Sequence, residues 1–433
     1  MKIRYFNMLL TLFLFMALGS ASFADVSPGD VIDKRNWQTV QGMVPDSILN
    51  WVKEGRIVLN VGKLNYSPLE FVKNDLGDLY SKNKGKYALK DAEIVDAKTG
   101  QIALDVLGYP FPGFDWKEDP DAALKFMYNR LYMQGYWGNV DIPTWQLQFI
   151  SEDKGLIREA EASYYQYVID GNPRMVGQPN PQQLQRHQMF KFHTPFDIAG
   201  TAQMSTRFIS ATQQDLLFGF LPSIRRARRL TPANRSDPIL GGDAVIDDAW
   251  GYDGKIAAFD WKIVKEQEML LPYHSEDPQL LLHLGSGIYQ TSAKMKKIVW
   301  GYEDSGWSGA KWAPLNMIWV KRPGYIIESK SKDPYYNYGT IILWIDAETG
   351  MGMLKIIYDR AGKYWKTFLV GGCDFATEDG KKKMAIYSLQ LAIDDRSKRA
   401  SNINGVATGN TYTMGGNMDP SIFSLGGFAK FCK

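Results

Sequence analysis

The sequence predicts a mainly β protein of the α+β class, in which one large, curved antiparallel sheet forms an incomplete barrel with a few covering helices. Three observations carry that expectation. From about residue 143 onward, apolar and polar residues alternate with period two in short runs separated by turn-formers. The joins "DAETGM", "DRAGKY" and "TEDGKK" are compact hairpin turns in which Gly supplies positive φ. The chain also carries 13 Trp, 23 Tyr and 21 Phe, more than a helical bundle needs and well suited to pleated surfaces. No βαβ unit repeats, which argues against a parallel sheet.

Taken in order, residues 1–24 read as a secretory signal peptide. Lys2 and Arg4 precede an apolar run from Met8 to Leu18, and Ser22 and Ala24 occupy the cleavage-site positions before Asp25. That run is too short for a bilayer, which needs about 20 residues. No cysteine stands at the new N-terminus to carry a lipid, so the expected location is the periplasm, with no membrane span. Residues 25–142 are expected to form a mixed, partly helical portion packing on the sheet, and 143–433 the antiparallel half-barrel, the two making one continuous domain. In "PDSILNWVKEG", Asp46 or Ser47 caps a short amphipathic helix with Ile48, Leu49 and Val52 on its apolar side and Gly55 as its stop. "EDPDAALKFMYNRLYMQG" is the clearest helix: Asp119 caps, Pro120 sits in the first turn, and Ala123, Leu124, Met127, Tyr128 and Leu131 form one stripe.

The strand series begins with "TWQLQFIS", "EASYYQYVID", "HQMFKFHT" and "GTAQMSTRFI". The loop "DGNPRMVGQPNPQQ" interrupts it, because three prolines and two glycines forbid a ladder. "KIAAFDWKIVK", "KMKKIVWGYED", "MIWVKRPGYIIESK", "GTIILWIDAETG", "MLKIIYDRAGKYWKTFLVGG" and "KMAIYSLQLAID" continue it. Strands so rich in aromatics imply that one face of the sheet bounds an apolar interior. Either the chain's own side chains fill that interior or it stays open for a ligand. Trp261, Trp300, Trp319 and Trp344 are the expected ligand-facing residues.

Charge narrows the partners. The chain has 50 basic and 47 acidic side chains, and loss of Lys2 and Arg4 with the signal leaves 48 against 47. Such a balance creates no global field for nucleic acid or an anionic surface. A local imbalance is nevertheless present in "PSIRRARRLTPANRSDPILGGDAVIDDAW", residues 222–250. Read as a strand, Ile224 to Leu230 places Arg225 and Arg229 on one face and Arg226 and Arg228 on the other. An inward arginine needs a partner, since burying an unpaired charge costs several kcal/mol. Asp237, Asp243, Asp247, Asp248 and Asp253 are close at hand, and Gly241-Gly242 lets the acidic segment fold back. The expected result is an ion network of Arg225, Arg229, Arg235, Asp237, Asp243, Asp247 and Asp248. Arg226 and Arg228 are the candidates to remain free at a cavity mouth and hold a lipid phosphate or carboxylate. A calcium site fails the EF-hand spacing. The two cysteines, Cys373 and Cys432, could pair in an oxidising compartment.

Three stretches resemble a known family. "LGYPFPGFDWKEDPDAALKFMYNR" resembles the proline-phenylalanine-proline signature of an uncharacterised family of exported Gram-negative proteins that are outer-membrane lipoprotein-sorting-like. "FGFLPSIRRARRLTPANRSDPILGGDAVIDDAWGYDGKIAAFDWKIV" resembles its central block. "LWIDAETGMGMLKIIYDRAGKYWKTF" is similar to the hairpin of periplasmic LolA/LolB-type carriers. The resemblance implies a LolA-like incomplete barrel around an apolar cavity, with helices as a lid. It also implies a lipid or lipoprotein acyl chain as cargo, with an inner-membrane exporter and an outer-membrane protein as partners. The chain is about twice as long as the small carriers.

Catalytic signatures are sparse. The histidines are His187, His193, His274 and His283, and they form no HExxH. "GWSGA" misses the nucleophile elbow at its last glycine, and there is no phosphate-binding loop or dinucleotide fingerprint. The sequence therefore predicts no metal, no cofactor and no enzyme. It favours a carrier of an apolar molecule, with a non-carrying accessory subunit of an envelope export assembly as the alternative.

Overall fold

A computed structural model describes residues 26–403 and 410–432; the expected signal peptide lies outside these. The strands are β1 (Val31–Ile32), β2 (Leu59–Gly62), β3 (Tyr87–Lys90), β4 (Glu93–Asp96), β5 (Val140–Ser151), β6 (Gly155–Val168), β7 (Leu184–Thr194), β8 (Ala202–Phe208), β9 (Leu216–Leu221) and β10 (Arg226–Leu230). They continue with β11 (Phe259–Tyr273), β12 (Gln279–Gly285), β13 (Ile288–Thr291), β14 (Ile318–Ser331), β15 (Thr340–Asp346), β16 (Met353–Tyr358), β17 (Tyr364–Ala376), β18 (Lys383–Asp394), β19 (Arg399–Ile403) and β20 (Thr413–Met414). The helices are α1 (Asp46–Lys53), α2 (Pro68–Leu76), α3 (Leu79–Lys82), α4 (Ala122–Gly135) and α5 (Leu425–Cys432).

Eighteen strands share one sheet, and β3 and β4 form a separate hairpin. From its edge the main sheet runs antiparallel through β10, β9, β8, β7, β6 and β5. It continues through β19, β18, β17, β16, β15, β14 and β11. Parallel contacts are short: β2 beside β14, and β11 and β12 against β17. Pairings also return from β17 through β12, β13 and β20 to β5. The sheet thus curls partly into a ring, while β10 pairs with β9 alone among the described strands and stays an open edge. The structure is mainly β, with an incomplete barrel.

Two expected strands differ. "KMKKIVWGYED" contributes a bridge from Trp300 to Pro314 and otherwise runs as loop and turns; its backbone bonds fold back onto residues 311–315, with Gly301 donating to the Ala313 carbonyl and Tyr302 to that of Lys311, instead of joining the sheet. The arginine strand starts at Arg226, because residues 222–225 form the hairpin turn and Arg225 has φ +49°. Arg225 therefore belongs to neither face.

The concave side is filled. The expected helix over 119–135 forms as α4, but Ala122, Ala123, Phe126, Met127, Tyr128, Asn129, Arg130, Tyr132, Met133 and Gln134 are all buried. A helix buried nearly all round belongs inside a core rather than on its surface. Its polar residues are satisfied internally: Arg130 donates to the carbonyls of Trp250 and Tyr252 and to the Tyr387 hydroxyl, and Gln134 donates to the same hydroxyl at 2.8 Å. Residues 232–258, a succession of short 3-10 turns, occupy the rest of the hollow. Gly242 fits there because a Cβ would come within 2.7 Å of Phe149 and 2.8 Å of the Ser401 hydroxyl. Residues of the first 142 and of the later strands share one apolar core. A second, smaller core lies on the other face of β7–β10, where Phe423, Phe428 and Cys432 cover Met189, Met204 and Phe220.

The suggested disulfide is absent. Cys373 and Cys432 are both free and buried, the first on β17 in the main core and the second on α5 in the small one. Beside Cys373, neither carboxylate oxygen of Asp374 finds a hydrogen bond of good geometry among the described residues. Burial pushes this group up to about 7, against a partial opposing effect of the neighbouring Tyr66 hydroxyl. A carboxyl raised in the native state favours folding below its unfolded value of about 3.9, and that contribution is lost as pH rises through about 7. Asp374→Asn should accordingly raise the melting temperature relative to the parent at pH 8 and leave it little changed at pH 4. Equal shifts at the two pH values in thermal scans would contradict a buried neutral acid.

Candidate functional site

The acidic segment within the hollow is tied to the wall by side chains projecting inward from the strands. Arg186 on β7 donates to Asp253 at 2.5 Å, and Arg235 bridges Asp253 at 2.8 Å and Asp247 at 2.5 Å. Arg207 on β8 pairs with Asp215 at 2.7 Å and donates to the Asp253 carbonyl at 2.9 Å. On the opposite wall Lys355 of β16 reaches Asp248 at 2.5 Å, Tyr338 donates to the same carboxylate at 2.8 Å, and Lys366 of β17 donates to the Asp243 carbonyl at 2.7 Å. Burial works to raise Asp253, but the guanidiniums of Arg186, Arg207 and Arg235 outweigh it and hold the carboxyl below the usual range. Burial raises Asp247 despite Arg235, so Asp253 carries the firmer charge of the two.

What remains of the hollow is small. A cavity of about 60 Å³ lies between Trp145, Tyr164, Phe190, Trp250 and Tyr412, room for a few waters and not for an acyl chain. Beside it a groove of about 270 Å³ opens toward β9 and β10, sharing Phe190, Gln203, Ile239 and Ile246 with the inner cavity. This approaches the ~300 Å³ lower end of small-molecule sites. Its walls are apolar, with Phe192, Leu221, Leu230 and Leu240 prominent, and Leu230 leans over Gly219, which has no side chain of its own to fill the floor. Arg228 stands at the rim. By period two Arg226 shares its face, opposite Leu221, as Arg228 is opposite Gly219. Both arginines are exposed and neither has a partner among the described residues. Asp237 also borders the groove, held by Asn234 at 2.7 Å and Asn337 at 3.1 Å.

The expected site residues therefore divide. Arg235, Asp247 and Asp248 lie in the buried network; Asp243 accepts from Ser401 at 2.9 Å and faces Arg399 at 3.4 Å. Arg225 and Arg229 do not join it: both are exposed, one in the turn and one on the face opposite Arg228. Asp237 has amide partners instead of an arginine. The inward partners come from Arg186, Arg207, Lys355 and Lys366, whose sequence signal is a cation at a strand position in phase with buried residues.

The tryptophans are corrected in most cases. Trp261 packs edge-on to Tyr252 and donates to the Ile256 carbonyl, so it serves the infilling segment. Trp300 and Trp319 are buried in the core, and Trp344 borders a separate cavity beneath α1. Of the histidines, His187 and His193 bond Thr206 and Ser163, His283 stacks on Tyr289, and His274 is buried.

Fold and groove together define a class: a curled antiparallel wall, open at one edge, whose inner face keeps an apolar slot beside free cations. The chain belongs to the family described as "Protein of unknown function (DUF1329)", whose model matches residues 31–419. It is similar in structure to a domain from Vibrio parahaemolyticus named for outer-membrane lipoprotein sorting (12% identity, TM-score 0.48, 72% of this chain and 100% of that one). A DUF1329 family protein from Desulfovibrio piger (12%, 0.44, 71% and 98%) is also similar, as is a LolA superfamily protein from Nitrosomonas europaea (11%, 0.39, 70% and 97%). No curated protein matches the chain.

Removing one partner of a buried pair leaves an uncompensated charge and costs about 3–5 kcal/mol. Asp253→Asn should destabilise the protein by that order in urea denaturation, since Arg186 and Arg235 both lose their carboxylate. Arg229→Ser should stay within about 0.5 kcal/mol, as surface changes do. Equal losses in the two variants would contradict the division drawn here.

Proposed function

We propose that the protein is a periplasmic carrier or chaperone that binds one anionic amphiphile in the β7–β10 groove. The observation that carries this reading is the juxtaposition of a bare apolar slot with two arginines that have no partner among the described residues. An arginine fork suits a carboxylate or phosphate, and the slot beneath it suits an alkyl tail. The filled centre favours a guest held along the open edge of the wall rather than one enclosed within it. The export-type N-terminus supports the compartment. Handover to an inner-membrane exporter or an outer-membrane protein is the corresponding role, and binding rather than catalysis is its chemistry.

The test is calorimetric titration of detergent-free protein with three twelve-carbon probes below their micelle concentrations. Dodecanoate should bind at least tenfold more tightly than dodecanol, and any binding of dodecyltrimethylammonium should be indifferent to the groove variants that follow. The double variant Arg226→Ser/Arg228→Ser should abolish the preference for the anion. Gly219→Val, which fills the slot floor, should weaken both dodecanoate and dodecanol. Absence of binding by all three probes, or equal affinity for anion and alcohol, would overturn the reading. The filled interior would then favour the non-carrying accessory subunit.

A further inference from the structure

A second cavity, independent of the groove, lies on the opposite face of the wall. It measures about 560 Å³ and lies open to solvent between α1 and the outer face of β15, β16 and the start of β17. Helix α1 buries Ile48, Leu49, Trp51 and Val52 in the core. Its polar edge, Asp46, Ser47, Asn50 and Glu54, borders the cavity, with Asp46, Asn50 and Glu54 exposed. The sheet answers with an apolar and aromatic surface: Ile342, Trp344, Ile356, Tyr358 and Tyr364. The two surfaces meet where the Thr367 hydroxyl donates to Ser47 at 2.7 Å, and the cavity is the space beside that contact. Trp344, Tyr358 and Tyr364 are only half-buried, and the two tyrosine rings stand at 75° with centroids 6.3 Å apart.

At one end of the cavity Asp395 is already satisfied. It accepts from both the Trp51 indole at 3.0 Å and Arg56 at 2.7 Å, and from the Tyr364 hydroxyl at 2.5 Å. Arg56 is likewise committed, to Asp395 and Glu152, with Glu54 at 3.7 Å. The side chains of Asp46 and Asn50 have no partner among the described residues. Three carboxylates, those of Asp46, Glu54 and Asp395, thus border the cavity against the single guanidinium of Arg56.

The geometry points to a binding site for an organic cation: an alkylammonium group seated against Trp344, Tyr358 and Tyr364, with Asp46 and Glu54 as counter-charges. Ring faces attract a cation within about 6 Å, and trimethylated ammonium groups combine that charge with an apolar surface. Excess carboxylate selects the cation over an isosteric neutral molecule. A sugar would use the same aromatic wall without needing the negative balance.

The probe is free choline, followed by saturation-transfer NMR from the protein to its N-methyl protons, with 3,3-dimethylbutanol as the uncharged isostere and glucose as the saccharide control. Choline should bind, with dimethylbutanol at least tenfold weaker and glucose silent. Trp344→Ala should weaken choline at least tenfold. Asp46→Asn, at an exposed position where folding is not at issue, should weaken choline several-fold and leave dimethylbutanol unchanged. Co-sedimentation with phosphatidylcholine vesicles that free choline displaces would assign the cation to a lipid headgroup; choline binding without co-sedimentation would assign it to a small solute. No transfer to choline in the folded parent, a response to glucose alone, or equal binding of choline and dimethylbutanol would overturn the assignment. Because the groove variants Arg226→Ser/Arg228→Ser lie on another face, they should leave choline binding intact.

Discussion

The arrangement of this molecule depends on the lattice of buried charges that binds residues 232–258 to the inner wall of the sheet. Arg186, Arg207 and Arg235 converge on Asp253, while Lys355 and Asp248 close the opposite side. None of these ions could be left alone in a low-dielectric interior, where an unpaired charge costs several kcal/mol. Each strand cation therefore requires the infilling segment in place, and the segment requires the strands. The reduced volume at the centre follows from that mutual requirement, and Arg130 ties α4 to the same segment through the carbonyls of Trp250 and Tyr252.

A filled centre changes what a curled sheet can do. An incomplete barrel lined only by aliphatic side chains would leave a continuous apolar hollow. Here the space that such a hollow would occupy holds polar chain, and the apolar surface left over is displaced to the rims. One rim is the slot along β9 and β10, beside arginines that blunt an otherwise open sheet edge. The other is the aromatic face of β15 and β16 beneath α1. The two differ in electrostatic character because the local sequence does: an arginine-rich hairpin borders the first, and the acidic edge of a short helix borders the second.

The strands were legible because half-buried antiparallel ladders enforce period two, and nearly every alternating run reappears as a strand. Residues 294–304 show the same alternation without being a strand, because lysines and apolar residues alternate equally well in a loop whose apolar members reach a core. Helix α4 was legible as a helix but not as an interior one: Asn129, Arg130 and Gln134 read as a solvent face until Tyr387, Phe111 and Trp250 supply their partners. The need for arginine–aspartate pairing was also visible, yet sequence proximity suggested the wrong arginines. Pairing is decided by which side chains cross the hollow, and Arg186 and Arg207 cross it from strands far along the chain. The cavity beneath α1 left no trace in the sequence, since its lining joins α1 to strands about three hundred residues further along the chain.

The placement of any guest follows from where the structure can yield. Opening the centre would separate several buried ion pairs at once, together with the tyrosine hydroxyls of Tyr336 and Tyr338 that bond Asp247 and Asp248. The hairpin of β9 and β10 faces no such barrier: its outer strand has a single neighbour, its arginines are solvated, and its turn lies clear of the core. Regions with few buried contacts and exposed backbone bonds open at the low end of the stability range. Entry of a guest at the edge of the wall therefore disturbs little, whereas entry at its centre would dismantle the network that holds residues 232–258 against the wall.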